Sequence, residues 1–158
     1  MAEIYRRHAP SVYRRALQIL GSEIEAREVL RELFVSLLER PAQAAAPRAQ
    51  LSAHLYEVTT RACLQRLRGR RHWPRLVEPA LDLSALMAGP RRALSSALRN
   101  VLPQLPESLA VVAIYHLVDG LDQQEMALLL GCSQGQVEQQ LERMRGFGRA
   151  AETACPAE

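Results

Sequence analysis

Six arginines stand between residues 61 and 75, at Arg61, Arg66, Arg68, Arg70, Arg71 and Arg75, with no acid among them and a His72-Trp73 pair near the end. Guanidinium groups in such a run can track phosphates, and an indole beside them offers a face on which a base stacks, so the chemistry indicated is nucleic-acid contact. A basic helix end favoured by the macrodipole, with Trp73 plugging a hinge, would leave a similar trace, but six cations exceed what one dipole needs. A second polar group, Ser133, Gln136, Gln139, Gln140 and Arg143, brings amides that can pair with adenine and a guanidinium that can hold phosphate. Catalytic constellations are missing. His8, His54, His72 and His116 form no ligand pair at helical spacing, no glycine-rich phosphate loop occurs, and Cys63, Cys132 and Cys155 lie far apart with no partner at ligand spacing. The expectation is a non-enzyme without metal, cofactor, small-molecule substrate or disulfide frame.

The charge distribution agrees with a polyanion partner for the first half. Residues 1–75 hold 14 arginines and 7 acids, residues 76–158 hold 6 arginines and 10 acids, and the chain has no lysine. Arginine offers planar, bidentate donors suited to phosphate, although an arginine-biased genome would give the same usage. The net charge of −4 in the second half makes tight nucleic-acid binding there harder to assume. Charge at the N-terminus where a signal peptide needs an apolar run, no long uncharged apolar stretch, and an odd, scattered cysteine set predict a soluble, cytoplasmic protein with no membrane partner.

The elements that must position these residues read as helices throughout. Ala, Leu, Arg, Glu and Gln dominate and no alternating β-branched run appears, so the expected fold is all-α: two small helical domains joined by a linker, the second with a helix-turn-helix. A first helix is expected from about Glu3 to Leu20, interrupted near its start by Pro10, with Ile4, Val12, Leu17 and Leu20 inward and arginine pairs at Arg6-Arg7 and Arg14-Arg15. Gly21 closes it, and Ser22 with Glu25 opens a second helix to Arg40 whose inward stripe is Ala26, Val29, Leu30, Leu33, Phe34, Leu37 and Leu38. Its polar side, with Glu28, Arg31 and Glu32, is either a solvated face or a docking surface. Pro41–Gln50 reads as a loop. A third helix follows from Leu51 to about Arg71, facing inward through Leu55, Val58, Ala62, Leu64 and Leu67. Pro74, Pro79, Gly89 and Pro90 mark residues 74–90 as the linker, so the domains are expected at 1–73 and 91–151, with a frayed tail at 152–158.

In the second domain helices are expected at Arg91–Leu102 and Glu107–Val118, then the helix-turn-helix. Asp122 and Glu125 make a capping box, Met126, Leu129 and Leu130 share a face, Gly131 supplies a left-handed stop, and Ser133 caps a helix burying Val137, Leu141 and Met144. That helix exposes Gln136, Gln139, Gln140 and Arg143. Ala127 is the small residue that two steeply crossing helices require. Gly146 and Gly148 are expected to weaken its end.

This order of parts resembles a small bacterial sigma factor of the extracytoplasmic-function (ECF) group, over nearly the whole chain. Ala26-Arg27-Glu28-Val29-Leu30-Arg31-Glu32-Leu33-Phe34 resembles the family stretch Ala-Glu-Asp-Leu-Val-Gln-Glu-Val-Phe, whose polar face docks on the coiled coil of RNA polymerase's largest subunit. Glu28 stands for the family aspartate and Glu32 for its glutamate, while Arg31 replaces the glutamine. His54-Leu55-Tyr56 through Arg68 resembles the segment that opens and reads the minus-ten element, with Arg61 in place of Asn and Gln65 in place of Asp. Leu102-Pro103, Leu105-Pro106, Gly120-Leu121, Glu125-Met126-Ala127 and Leu130-Gly131-Cys132-Ser133 match the family most specifically.

The resemblance implies a promoter-directing subunit that binds core RNA polymerase and promoter DNA, with an anti-sigma factor as a further type of partner. Polymerase would be met by Glu28, Arg31 and Glu32. DNA would be met by Arg61, Arg66, Arg68, Arg70, Arg71 and Trp73 at one element, and by Ser133, Gln136, Gln139, Gln140 and Arg143 at the other. Where the family places Thr, Lys, Ser and Arg on its recognition helix, this chain has Gln136, Glu138, Gln139 and Gln140, followed by Glu142. Lost cations and added carboxylates predict weak DNA affinity from this domain alone. Together with Arg27 and Arg31 at docking positions, they keep open a second reading: a sigma-derived interaction protein that binds polymerase or a regulator without reading promoters.

Overall fold

The computed structural model describes residues 2–70 and 96–152, and the side chains of 2–70 and 98–146. The chain divides into two compact units, Met1–Gly69 and Arg70–Glu158. Every regular element among the described residues is helical. The linker expected over 74–90 lies outside those residues.

The first unit holds α1 (Ala2–Leu20), α2 (Glu23–Glu39), the short α3 (Pro41–Ala44) and α4 (Arg48–Gly69), and α1, α2 and α4 pack against one another. Pro10 does not interrupt α1. Pro10 and Arg6 are both exposed, so the carbonyl that loses its partner lies on the water side, where solvent replaces the missing N–H. Gly21, at φ 67°, reverses the chain after α1, and the Ser22 hydroxyl accepts from the Glu25 N–H to start α2. Part of the expected loop after α2 is helical. Pro41 opens a single turn, and α4 begins at Arg48, three residues earlier than expected, with the Leu51 N–H donating to the Pro47 carbonyl.

The inward faces also differ from expectation in particulars. Ile4 and Leu17 are only half-buried; besides the expected Val12 and Leu20, α1 buries Ala9, Arg15, Ala16 and Ile19. Leu38 is 60% exposed, because it falls on the outer stripe with Arg31 and Val35 rather than on the face that buries Leu33 and Leu37. On α4, Val58 and Ala62 are half-buried, and the interior side is Leu51, Leu55, Thr59, Thr60, Cys63, Leu64 and Leu67. Both threonines are tolerated there because their hydroxyls donate to the carbonyls one turn back, Leu55 and Tyr56.

The second unit holds α5 (Ser96–Val101), a 3-10 turn (Leu102–Gln104), α6 (Glu107–Leu117), α7 (Gln123–Leu130) and α8 (Gln134–Glu152). The helix expected from Arg91 is described only from Ser96. Helix α6 buries Leu109 through Tyr115 without a break, and Leu117, so it is the core helix against which α7 and α8 pack. The capping box of α7 is complete: the Asp122 carboxylate accepts from the Glu125 N–H at 2.8 Å, and Glu125 accepts from the Asp122 N–H at 2.9 Å. Gly131 ends α7 at φ 64°, a conformation that a side chain would strain. Met126 and Ala127 are buried at the corner with α8, but Leu129 is 41% exposed and Leu128 78% exposed, so the expected inward set of α7 is corrected to Met126 with Ala127 and a half-buried Leu130. Helix α8 buries Val137, Leu141 and Met144 and runs through Gly146 and Gly148 to Glu152, so the glycines do not end it. Residues 153–158 of the expected tail lie outside the described residues.

Candidate nucleic-acid and partner interfaces

On the first unit, Arg66 joins two groups that the sequence assigned to different partners. From α4 it reaches α2, donating Nη1 to Glu28 at 2.7 Å and Nη2 to Glu32 at 2.6 Å. Its side chain is 22% exposed, against 48% for Glu28 and 57% for Glu32. The hydrogen bond to Glu32 does most to raise the Arg66 pKa, and the bond to Glu28 adds to it against the opposing cost of burial. One guanidinium therefore serves two carboxylates a turn apart, tying α2 to α4. An arginine proposed for DNA and two acids proposed for polymerase are, in this arrangement, one ion cluster.

The other arginines expected to meet DNA are placed differently. Arg61 is exposed and pairs with Glu57, one turn back, at 2.9 Å. Arg68 is half-buried and Arg70 exposed just past the end of α4. Arg71 and Trp73 lie outside the described residues. Arg31 is exposed on α2 and has no ion pair among the described residues, whereas Arg27 pairs with Glu23 at 3.3 Å. Around Arg31 the outer face of α2 is not purely polar. Ile24, Val35 and Leu38 are 73%, 47% and 60% exposed and recur with Arg31 at helical spacing. Tyr5, 47% exposed, meets Phe34 edge-on with ring centres 4.8 Å apart. Ile24, Val35 and Leu38 thus leave apolar surface on the solvent side of α2, interleaved with Arg31.

Arg15, paired with Arg14 in the sequence reading, is a structural residue. It is 6% exposed, donates Nε and Nη2 to the Thr60 hydroxyl at 3.1 and 2.8 Å, and stacks 3.5 Å over the Tyr56 ring. The signal was present: residue 15 falls three after Val12 and four before Ile19, inside the apolar face. Nearby, burial pushes the Cys63 thiol up to about 12, with Arg15 and Arg66 opposing the shift. A thiol held protonated is neither nucleophile nor metal ligand. Cys63 and Cys132 are free thiols.

On the second unit, Ser133 and Gln136 answer each other across the start of α8. The Ser133 hydroxyl accepts from the Gln136 N–H at 3.2 Å, and the Gln136 side-chain oxygen accepts from the Ser133 N–H at 3.0 Å. This is a second capping box, legible in the Ser-x-x-Gln spacing but read there only as a single cap. Gln139 and Arg143 are exposed. Gln140 is half-buried and its side-chain oxygen is enclosed without a hydrogen-bond partner, which corrects its expected place on the outer face. Of the two acids on α8, Glu142 is matched by Arg145 three residues on, and Glu138 is exposed.

Among the described residues no helix is long and apolar enough to cross a membrane, and no group of three His, Cys, Asp or Glu side chains could hold a metal ion. Comparison with known proteins agrees with the two-unit division. Residues 4–72 match Sigma-70 region 2, and residues 95–146 match Sigma-70, region 4. The chain is 28% identical over 150 residues to the ECF RNA polymerase sigma factor SigE of Mycolicibacterium smegmatis, an alignment covering 90% of this chain and 58% of that protein's length. With an α1–α4 unit matching region 2, an α5–α8 unit matching region 4 and a relative of the same type along nearly all of its residues, the chain belongs to the sigma-70 family, among its ECF members.

Proposed function

We propose that this protein is an RNA polymerase sigma factor of the ECF type: a non-catalytic subunit that binds core polymerase and directs it to promoters. The observation that carries the reading is the presence, in family order, of a region 2 unit with an exposed apolar and charged α2 face and a region 4 unit with an intact helix-turn-helix. Core polymerase docks on α2 through Ile24, Arg31, Val35 and Leu38, with Glu28 and Glu32 at the edge, already held by Arg66. The arginines at the end of α4, Arg68 and Arg70, together with Arg71 and Trp73 beyond it, engage the minus-ten element, and α8 addresses the minus-thirty-five element. An anti-sigma factor that covers either surface would silence the protein, and a cytoplasmic location follows from the partners.

A second reading rests on one observation. Glu138 and Glu142 stand on the helix that should face a polyanion, which favours an interaction protein that binds polymerase without reading promoters. Binding of promoter duplex with and without core polymerase, across a salt series, separates the two. Polymerase-dependent promoter binding that falls steeply with salt supports the sigma factor; polymerase binding without promoter preference supports the alternative.

A further inference from the structure

We infer that the base-reading pair of this protein is Gln139 and Arg143, and that it selects an adenine and a guanine no more than about two base pairs apart in the upstream promoter element. This rests on the proposed reading of α8 as a DNA-facing helix and adds which of its side chains read and what they read.

The polar residues of α8 fall on two stripes. Gln136, Gln139 and Arg143 recur along one, and Glu138, Glu142 and Arg145 along the other. A duplex repelled by the carboxylates settles toward the first stripe, and Arg145 pairs with Glu142 on the second. Within that stripe the side chains are not equivalent. A glutamine pairs with adenine by accepting from N6–H with its oxygen while donating to N7 with its nitrogen. In Gln136 that oxygen is turned back onto the Ser133 N–H, so the amide is oriented for capping the helix. In Gln140 the oxygen is enclosed and the side chain half-buried.

Gln139 and Arg143 are left. Both are exposed, and neither has a hydrogen bond or ion pair among the described residues, so neither must break one to reach a base. They are four residues apart on the helix, a rise of about 6 Å. Base pairs stack about 3.4 Å apart, so the two side chains meet neighbouring or next-neighbouring pairs in the major groove. Arginine makes its bidentate contact with guanine O6 and N7, and glutamine with adenine.

The test is selection of binding sequences from promoter duplexes randomised across the upstream element, using the full-length protein with core polymerase. The parent is expected to enrich an adenine and a guanine within two positions. Gln139→Ala should flatten the adenine alone and Arg143→Ala the guanine alone, each lowering discrimination by about tenfold or more. Gln136→Glu keeps the acceptor that caps Ser133 and loses the donor adenine needs; the added carboxylate should lower overall affinity, but the bases selected should remain the parent's adenine and guanine. A parent that enriches no upstream bases, a Gln139→Ala variant with the parent's full preference, or loss of the adenine in Gln136→Glu would each overturn the inference. Run-off transcription from the same promoters tells the failures apart: specific transcription with unchanged base selection sinks this inference alone, and no promoter-dependent transcription sinks the sigma-factor reading itself.

Discussion

Replacing Arg66 by Met tests the cluster that ties α2 to α4. Methionine keeps most of the apolar stem, so the change removes the charge and its two hydrogen bonds rather than opening a void. Exposed ion pairs are worth about 0.2–1 kcal/mol each, and the 22% exposure of Arg66 places these near the upper end even though the acids remain about half exposed. Without the cation, Glu28 and Glu32 stand one turn apart as like charges, a further penalty of roughly 0.2–0.5 kcal/mol. The sum is about 1–2.5 kcal/mol. For a helical unit of this size that lowers the melting temperature by about 5–15 °C. The assay is thermal and urea unfolding of the full-length protein followed by circular dichroism, at low and high salt. The deficit should shrink at high salt, and most of it should vanish when Glu28→Gln and Glu32→Gln are added, because the uncompensated carboxylates are then gone. A variant that melts with the parent, or the same deficit in the Gln background, would show that the three charges are not energetically coupled.

Other outcomes follow from the same geometry. Leu38→Asp or Arg31→Glu should weaken pull-down of core polymerase by about tenfold while leaving the melting curve near the parent's, since both side chains are exposed; full recovery would remove α2's outer face from the interface. Glu138→Lys with Glu142→Arg should strengthen promoter binding and steepen its salt dependence by up to about two phosphate contacts, and an unchanged slope would mean that this stripe of α8 lies out of reach of the phosphates. Cys63, with its thiol pushed up to about 12, should resist alkylation in the native protein at mildly alkaline pH while Cys132 reacts, read by peptide mass spectrometry. The sign follows from the raised pKa: the unfolded thiol ionises near 9.0 and the buried one does not, so its contribution to stability is present below 9.0 and is lost as pH rises toward 12. Rapid labelling of Cys63 without unfolding would contradict its burial.

Much of the fold could be read from local signals. Ser22, Gly21, Asp122 with Glu125, Gly131 and Ser133 each act within a few residues, so spacing alone locates the helix ends they set. Pro10 misled because the cost of a helical proline depends on whether the orphaned carbonyl meets water, which no local pattern records. Leu38 and Leu129 misled in the other direction: periodicity marks a residue as fit for burial, but a neighbouring helix has to be there to bury it. The candidate site was legible as a set of residues rather than as an arrangement. Arg66 looked like a DNA contact because the acids it serves are 38 and 34 residues away in sequence, and Arg15 stood only as half of an arginine pair because Thr60 is 45 residues away. Gln136 is the instructive exception, since its capping role was written in the Ser-x-x-Gln spacing and was obscured by its place on the recognition helix.

The most direct measurement is single-round run-off transcription with purified core RNA polymerase, a library of promoter fragments from the source genome, and the full-length protein added or withheld. A sigma factor predicts discrete transcripts that start at a common distance from shared upstream sequences and appear only when the protein is present. Stable association with core polymerase that yields no added transcript from any fragment would contradict the account.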